Sequence, residues 1–487
     1  MLTRVGSAAD YAAFLENEKA RLSFSDHKRL KKDNQLFSAL WRFKKLDFSS
    51  AGSLILPLYS QDGGRNAYDP AILFRSFLLM QRLKYSSIDK WVGRLESDPL
   101  LQYVIGTRNA PGLATHYDFI NRLMGIDPHM DELYPKGYFN KENRAKLKKN
   151  EKWINYTDDD TRALKEKYLE GNGAEHDATR KSYLIEQVFN IIAVNQSIKE
   201  GYIPADESLI LSGDGSCKHI HASANGHHVE NPVDDDHTHR YSAPDANWGW
   251  DSDLEAYYFG FTMFNISYHG EGYDLPVHLT LTLASQHDAL TSMSSFASLR
   301  HLNPSLKPKY VCHDSAMDAY DIFEFYRKQG IIPVIDWNQR STGSKNPYAE
   351  FESINEKGIP VCMNGSEMVR DGYDKSKMAT KYRCPLKMGR ICDCQVKDQC
   401  SKSSYGRVIK TYDKTNLKLF GPVPYQSEEW KRIYKNRTCT ERINNRILND
   451  YGLHKLGCRN GSKNFFFMIM AGINIHADVW CKNQSAM

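Results

Sequence analysis

The sequence predicts an α/β protein: a mixed sheet flanked by helices, preceded by an all-helical region and interrupted by a cysteine-containing insertion. Three observations carry this. Residues 206–340 alternate strand-period and helix-period runs in the order three strands, helix, strand, helix, strand. Residues 61–150 show a succession of helix-start signals and no strand pattern. Four cysteines crowd between Cys384 and Cys400, in a stretch that separates two parts of the α/β pattern. A chain of 487 residues exceeds one ordinary core, so two or three domains are expected.

Residues 1–60 form a basic region, with His27 to Lys32 (HKRLKK) and then Trp41 to Lys45 (WRFKK). Cations interleaved with aromatics can lie on a phosphate backbone, although a solvated helix face is their commoner meaning. From Tyr68 the helix signals begin. Asp69 precedes Pro70 as a cap, Ser87 opens a second helix and Asp98-Pro99 a third, and after Pro111-Gly112 a fourth starts with Thr115 as its expected cap. Such a unit, closing with a polar-faced helix after a tight turn, has the form of a helix-turn-helix reader. Residues 151–205 read as a linker, with breaks at Thr157–Thr161 and Gly171–Gly173, followed by an amphipathic helix from about Thr179 to Lys199.

Within 206–340, Ser208 to Ser216 is an apolar strand ending in Asp214-Gly215. Tyr257 to Ser267 and Pro276 to Ala284 follow, the second alternating Val277, Leu279, Leu281 and Leu283 with polar residues. Asp288 is expected to cap a helix through about Leu299. A strand from Lys309 ends at Asp314, Ser315 caps a helix over 316–329, and Ile331 to Ile335 is the last strand. Residues 341–425 form the insertion and 426–487 the closing helices of the core, the last an apolar helix over 464–480 that covers the sheet.

Glu429 to Asp450 (EWKRIYKNRTCTERINNRILND) places Tyr434, Arg437 and Glu441 at helical steps of three and four, within about 60° of one another. An aspartate at the carboxyl end of a strand projects toward the mouth of an α/β sheet, where ligands bind. Asp214 and Asp314, with a helix-borne Glu441, make a set of hard oxygen ligands without soft donors. That composition suits Mg²⁺ and two-metal phosphoryl transfer.

With these residues the chain resembles the DDE transposases of bacterial insertion sequences, whose catalytic core is ribonuclease-H-like. Their signature is Asp near a first strand, Asp after a fourth, and a helix with Tyr, two residues, Arg, three residues, Glu, six residues, Lys. Asp214 in SGDGS, Asp314 in CHDSAMDAY, and Tyr434, Arg437 and Glu441 fit; the Lys slot falls on Leu448, a departure that leaves its DNA-backbone task to Arg442 or Arg446 or unfilled. The resemblance spans about residues 68–480. It implies strand cleavage and transfer catalysed by Asp214, Asp314 and Glu441 holding two Mg²⁺ or Mn²⁺ ions, with Tyr434, Arg437, Arg442 and Arg446 positioning DNA. It makes 61–150 the reader of terminal inverted repeats, with His116, Asn121 and Arg122 as contacts, and double-stranded DNA, both ends and target, the partner of a homodimer.

The bulk properties are permissive. A net charge of +5, from 64 basic and 59 acidic residues, restricts any nucleic-acid surface to a local patch. No leader-like segment opens the sequence, and the longest apolar run, Phe465 to Ile475, is far short of the ~20 residues a membrane span needs. A cytoplasmic protein without a membrane partner is expected. All ten cysteines fall at or after Cys217, and in a reducing compartment Cys384, Cys392, Cys394 and Cys400 are either free thiols in a small β-rich subdomain or one structural Zn²⁺ site, though they lack paired C-x₂₋₄-C knuckles. Two other functions compete: a catalytically inactive DNA-binding relative, and a metallohydrolase using the six histidines and three consecutive aspartates between Lys218 and Trp250. Against the latter, that segment is Asn/Pro/Gly-rich loop with no i, i+4 histidine pair on a helix.

Overall fold

The computed structural model describes residues 4–59, 66–125, 158–170, 183–206, 208–228, 239–240, 242–243, 245–338, 353–355 and 357–482. The charged run at 141–153, the break at Gly171–Gly173, the acidic stretch within 229–238 and the start of the insertion lie outside the described residues.

The sheet of the α/β unit contains β1 (Ile210–His219), β2 (Asn247–Asp251), β3 (Ala256–Gly270), β4 (Tyr273–Leu283), β5 (Tyr310–His313) and β6 (Ile332–Ile335). The order is β2-β3-β1-β5-β6, with β4 also paired to β3. β1, β5 and β6 run parallel, and the remaining pairs are antiparallel. The all-buried strand β5 fits a sheet covered on both faces. β2 had been assigned to the loop before β3; it is a strand because Asn247–Asp251 pairs register by register with Ala256–Gly260.

Five local boundaries differ from the sequence reading. β1 does not end at Asp214, because antiparallel pairing with β3 continues to His219 after the parallel pairing with β5 has stopped at Ser212. The helix after Asp314 is split into a 3₁₀ turn, Ser315–Met317, capped by Asp314 itself, and a helix at Tyr320–Lys328. The helix Asp288–Leu302 is capped by His287, so Asp288 is its first residue, not its cap. The fourth helix of the N-terminal unit is capped by Gly112 and not by Thr115. The expected break at Thr157–Thr161 is the start of a helix, Asp158–Leu169, which packs on the core through an ion pair of Lys165 with Asp321 at 2.7 Å.

The N-terminal unit comprises α1 (Ala8–Glu18), α2 (Phe24–Lys32), α3 (Asn34–Phe43), α4 (Pro70–Arg82), α5 (Ile88–Glu96), α6 (Pro99–Ile105) and α7 (Leu113–Leu123). Every residue of α4 from Pro70 to Gln81 is buried. Part of its cover is the closing helix, Gly461–Lys482, buried from Asn464 to Trp480. Phe77 and Phe466 meet edge to face at 4.9 Å, and the Gln81 amide donates to the Phe467 carbonyl at 2.8 Å. On its other side the closing helix lies on β4, close enough that a Cβ on Gly472 would come within 2.9 Å of Leu279 and Phe189. Helical unit and sheet therefore share one hydrophobic core. The described part of the insertion is β-rich, with an antiparallel sheet of Val369–Asp374, Ala379–Arg383 and Val408–Tyr412 over a separate small core containing Met368 and Ile409. Among the described residues, no helix is long and apolar enough to cross a membrane.

Candidate active site

The parallel pairing of β1 and β5 ends at the partners Ser212 and Cys312, and each strand carries an aspartate two residues further on, Asp214 and Asp314. The wedge between them is His313. Its ring lies so near Gly213 that an added Cβ would sit 2.6 Å from it. Burial pushes its pKa down to about 4, so it is neutral, with Nδ1 2.9 Å from the Gly213 carbonyl and Nε2 2.8 Å from the Tyr326 hydroxyl. The tautomer that satisfies both donates from Nδ1–H to the carbonyl and accepts the tyrosine proton at Nε2. On the far side of Asp214, a Cβ on Gly215 would collide with the Asp288 carboxylate at 2.5 Å. Both glycines in Ser-Gly-Asp-Gly-Ser are thus required by close approach.

The third group arrives on Glu428–Asp450, which is not one uniform helix. It runs as α-helix over Glu428–Tyr434, 3₁₀ over Lys435–Arg437, α-helix over Thr438–Asn445 and a π-turn over Arg446–Asp450. Two buried polar contacts seat it on the sheet: the Asn265 amide donates to Asn444 at 2.7 Å, and Asn265 is the β3 residue paired with Asp214. The Thr440 hydroxyl lies 3.5 Å from Asp214. Arg437 then spans the site, with Nη2 2.6 Å from Glu441 and Nη1 3.9 Å from Asp214. Its guanidinium is 5.7 Å from the Tyr434 ring, which itself stacks on Trp430 at 4.3 Å. Tyr434, Arg437, Glu441 and Asp214 are thereby brought together.

Electrostatics joins Asp314 to them. Burial, then the charges of Asp314, Asp288 and Glu441, push Asp214 up to about 8 against the opposing pull of Arg437. Asp288 is pushed up to about 7 by burial and by Asp314. Asp314 is raised by burial and by Asp336 and Glu441, against the Ala316 N–H and Arg437. Asp288 and Asp336 are members of this acidic site that sequence reasoning missed. Asp288 lies in the first turn of a helix, where an acid also stabilises the helix end, so no local signal separates its two roles; Asp336 directly follows the strand Ile332–Ile335, the same strand-end position as Asp314, and that signal could have found it.

A cluster of mutually repelling oxygen donors with one guanidinium among them is short of positive charge, which is the chemistry a hard divalent cation satisfies. As arranged, Glu441 is turned to Arg437. Among the described residues, no three His, Cys, Asp or Glu side chains are grouped as a metal ion would require. Neither the acids, nor the four insertion cysteines, which are free thiols, nor the described part of the His-rich segment forms such a group. There His219 is paired with Asp251 at 2.8 Å and stacked on Tyr258, an arrangement of an ordinary half-buried histidine.

The other predicted DNA residues are dispersed. Arg442 forms a double hydrogen bond with Asp274, at 2.6 and 2.8 Å, and Arg446 pairs with Asp478 at 2.6 Å. Leu448, at the lysine slot, is buried in the π-turn. His116 is a core residue and not a surface contact: it is fully buried, bonded to Ser76 at 2.9 Å, and held neutral by burial with a pKa pushed down to about 4. Asn121 is half-buried, and Arg122 is exposed with its guanidinium 4.7 Å from the Tyr59 ring.

No curated protein and no solved structure matches the chain. Residues 26–122, from α2 to the end of α7, match a family model described as a transposase domain (DUF772). Over those residues the chain is similar to a transposase domain, and a DNA-processing enzyme is the class that this similarity supports.

Proposed function

We propose that this protein is a DNA transposase of the DDE type with a ribonuclease-H-like core, binding the inverted repeats at the ends of an insertion sequence and catalysing metal-dependent strand cleavage and transfer. The observation that carries the reading is Arg437 lying between Asp214 and Glu441 while the charge of Asp314 helps to raise the pKa of Asp214. The strand order, with the parallel trio β1-β5-β6 beside the antiparallel β3 and β4, is in keeping with that core. When bound by Asp214, Asp314 and Glu441, two Mg²⁺ or Mn²⁺ ions would supply charge stabilisation for an in-line displacement at a phosphodiester. Glu441 first has to exchange its bond to Arg437 for this duty. The released guanidinium, still flanked by Tyr434, suits a phosphate oxygen through paired hydrogen bonds. The hydrogen bond from His313 to the Gly213 carbonyl ties together the two strand ends that carry Asp314 and Asp214. We also propose that the insertion closes on one structural zinc through Cys384, Cys392, Cys394 and Cys400.

The test is cleavage of a labelled element end under single-turnover conditions with Mg²⁺, beside a binding assay on the same DNA. Asp214→Asn, Asp314→Asn and Glu441→Gln should each leave almost no cutting, since a lost ligand removes several kcal/mol of charge stabilisation in the transition state. DNA binding should persist, because the removed charges repel phosphate. Arg437→Ala should weaken binding and slow cutting together, and Tyr434→Phe should do so more mildly. Cutting at near the parental rate by Glu441→Gln would remove Glu441 from the chemistry.

A further inference from the structure

Outside the acidic site, three arginines converge on Asp478 of the closing helix. Its Oδ1 is 2.5 Å from Arg42 Nε and 2.7 Å from Arg82 Nη2, and its Oδ2 is 2.6 Å from Arg446 Nη2; the Tyr451 hydroxyl donates to it as well. Each arginine comes from a different place: α3, the last turn of α4, and the π-turn that follows Glu441. The side chains of Arg42, Arg82 and Arg446 are 16%, 9% and 25% exposed, so water does little to disperse their charge. Burial opposes ionisation of Asp478, but Arg82 and Arg42 outweigh it and hold the carboxyl below its usual range.

One carboxylate cannot neutralise three guanidiniums. A cavity of about 260 Å³ opens beside them, lined among others by Arg82, Lys84, Arg446, Asp450 and Asp478. Four cations, counting Arg42 behind Asp478, thus face two carboxylates, Asp478 and Asp450, a surplus of two positive charges. A second cavity, of about 640 Å³, shares Arg446, Asp450 and Asp478 with the first and extends to Glu441 and Arg442. The groove so formed follows the outer side of the helix that carries Glu441. Glu441, Arg442 and Arg446 line this second cavity together, so it connects the acidic site with the Asp478 cluster.

We propose that Arg82, Lys84 and Arg446, with Arg42 behind them, form a phosphate-binding site that takes a backbone phosphate of DNA flanking the bond at Glu441. The identity of the phosphate as DNA rests on the function proposed above; the surplus charge and the cavity do not. A phosphate diester or monoester supplies the missing negative charge and accepts from planar guanidinium forks in a way a chloride ion cannot. Since Arg42 and Arg82 belong to the helical unit and Arg446 and Asp478 to the core, DNA seated there bridges the two.

The experiment uses the full chain and measures binding to a random-sequence duplex as a function of salt, together with the melting temperature in inorganic phosphate. Lys84 is exposed and the loss of its amine leaves the Asp478 cluster intact, so Lys84→Ala keeps the fold. It and Arg446→Gln should each weaken binding and reduce the salt slope by about one phosphate contact. Asp450→Asn should tighten binding, a gain that a purely structural role for the cluster does not produce. Should the parental chain bind duplex while the three variants match it in affinity and slope, the site is wrong and the DNA reading stands. Absence of duplex binding, with inorganic phosphate raising the melting temperature of the parental chain but not of Lys84→Ala, keeps the site, assigns it to free phosphate and removes the DNA reading. Absence of both overturns both.

Discussion

Asp214, half-buried, and Asp478, buried, have opposite fates, and the difference is the sign of their neighbours. Around Asp214 stand Asp314, Asp288 and Glu441 with one arginine; around Asp478 stand three arginines. The pH dependence of stability should carry both signatures. Asp214 and Asp288 have folded pKa values raised to about 8 and about 7, above the ~3.9 of an unfolded aspartate. Their contribution to stability is therefore fully present below about pH 4 and is lost as pH rises through 7 to 8. Asp478, depressed, contributes stability that is present above the unfolded value and lost as pH falls through its folded one. In urea denaturation without divalent ions, the chain should lose about 1–3 kcal/mol between pH 5 and pH 9. Asp214→Asn or added Mg²⁺ should flatten that fall. An unchanged slope in Asp214→Asn would show that Asp214 is not the group repelled. At the same scale, His116 shows where sequence reasoning fails: a histidine on a polar-looking helix reads as a contact, and only burial against Ser76 and Phe77 reveals it as core.

At the scale of elements, the helix bearing Tyr434, Arg437 and Glu441 was legible because its three side chains repeat at helical steps. Its 3₁₀ and π interruptions were not, since they depend on how the helix seats on Asn265 and on the core beneath Leu448. The strands were legible as apolar runs, but their ends were set by pairing partners: β1 runs on past Asp214 because β3 is long enough to pair with it. In the insertion, the β-rich character was readable from the sequence while the arrangement of the thiols was not. Cys384 follows a strand, Cys392 and Cys394 lie in a loop and Cys400 ends a short helix, so loop movement would be needed to gather them. Elemental analysis of the purified chain should find one zinc, with the four thiols protected from alkylation until a chelator is added. No zinc and four freely reacting thiols would leave the insertion held by its small apolar core alone.

For the whole molecule, the shared core decides what can be separated. The resemblance makes residues 61–150 the reader of DNA ends, a task that a separable unit could perform. Yet α4 is buried on all sides, and the closing helix supplies part of that cover through Phe466 and Phe467. A fragment of residues 61–150 should consequently expose this face and fail to unfold cooperatively, whereas the full chain should unfold with one coupled transition for both regions. A sharp transition in the isolated fragment, by circular dichroism and calorimetry, would show that the helices hold together without the core. What the sequence by itself determined is the α/β class, the order of every core strand but β2, and the placing of Tyr434, Arg437 and Glu441 on one helix with Asp214 and Asp314 as candidates at strand ends, because periodicity and strand-end position are local properties of a chain. What only the tertiary structure decided is which other acids join them, where Arg437 points, and that Arg42, Arg82 and Arg446 meet on Asp478. Those meetings join residues up to 436 positions apart, and no local pattern encodes a contact that packing alone creates.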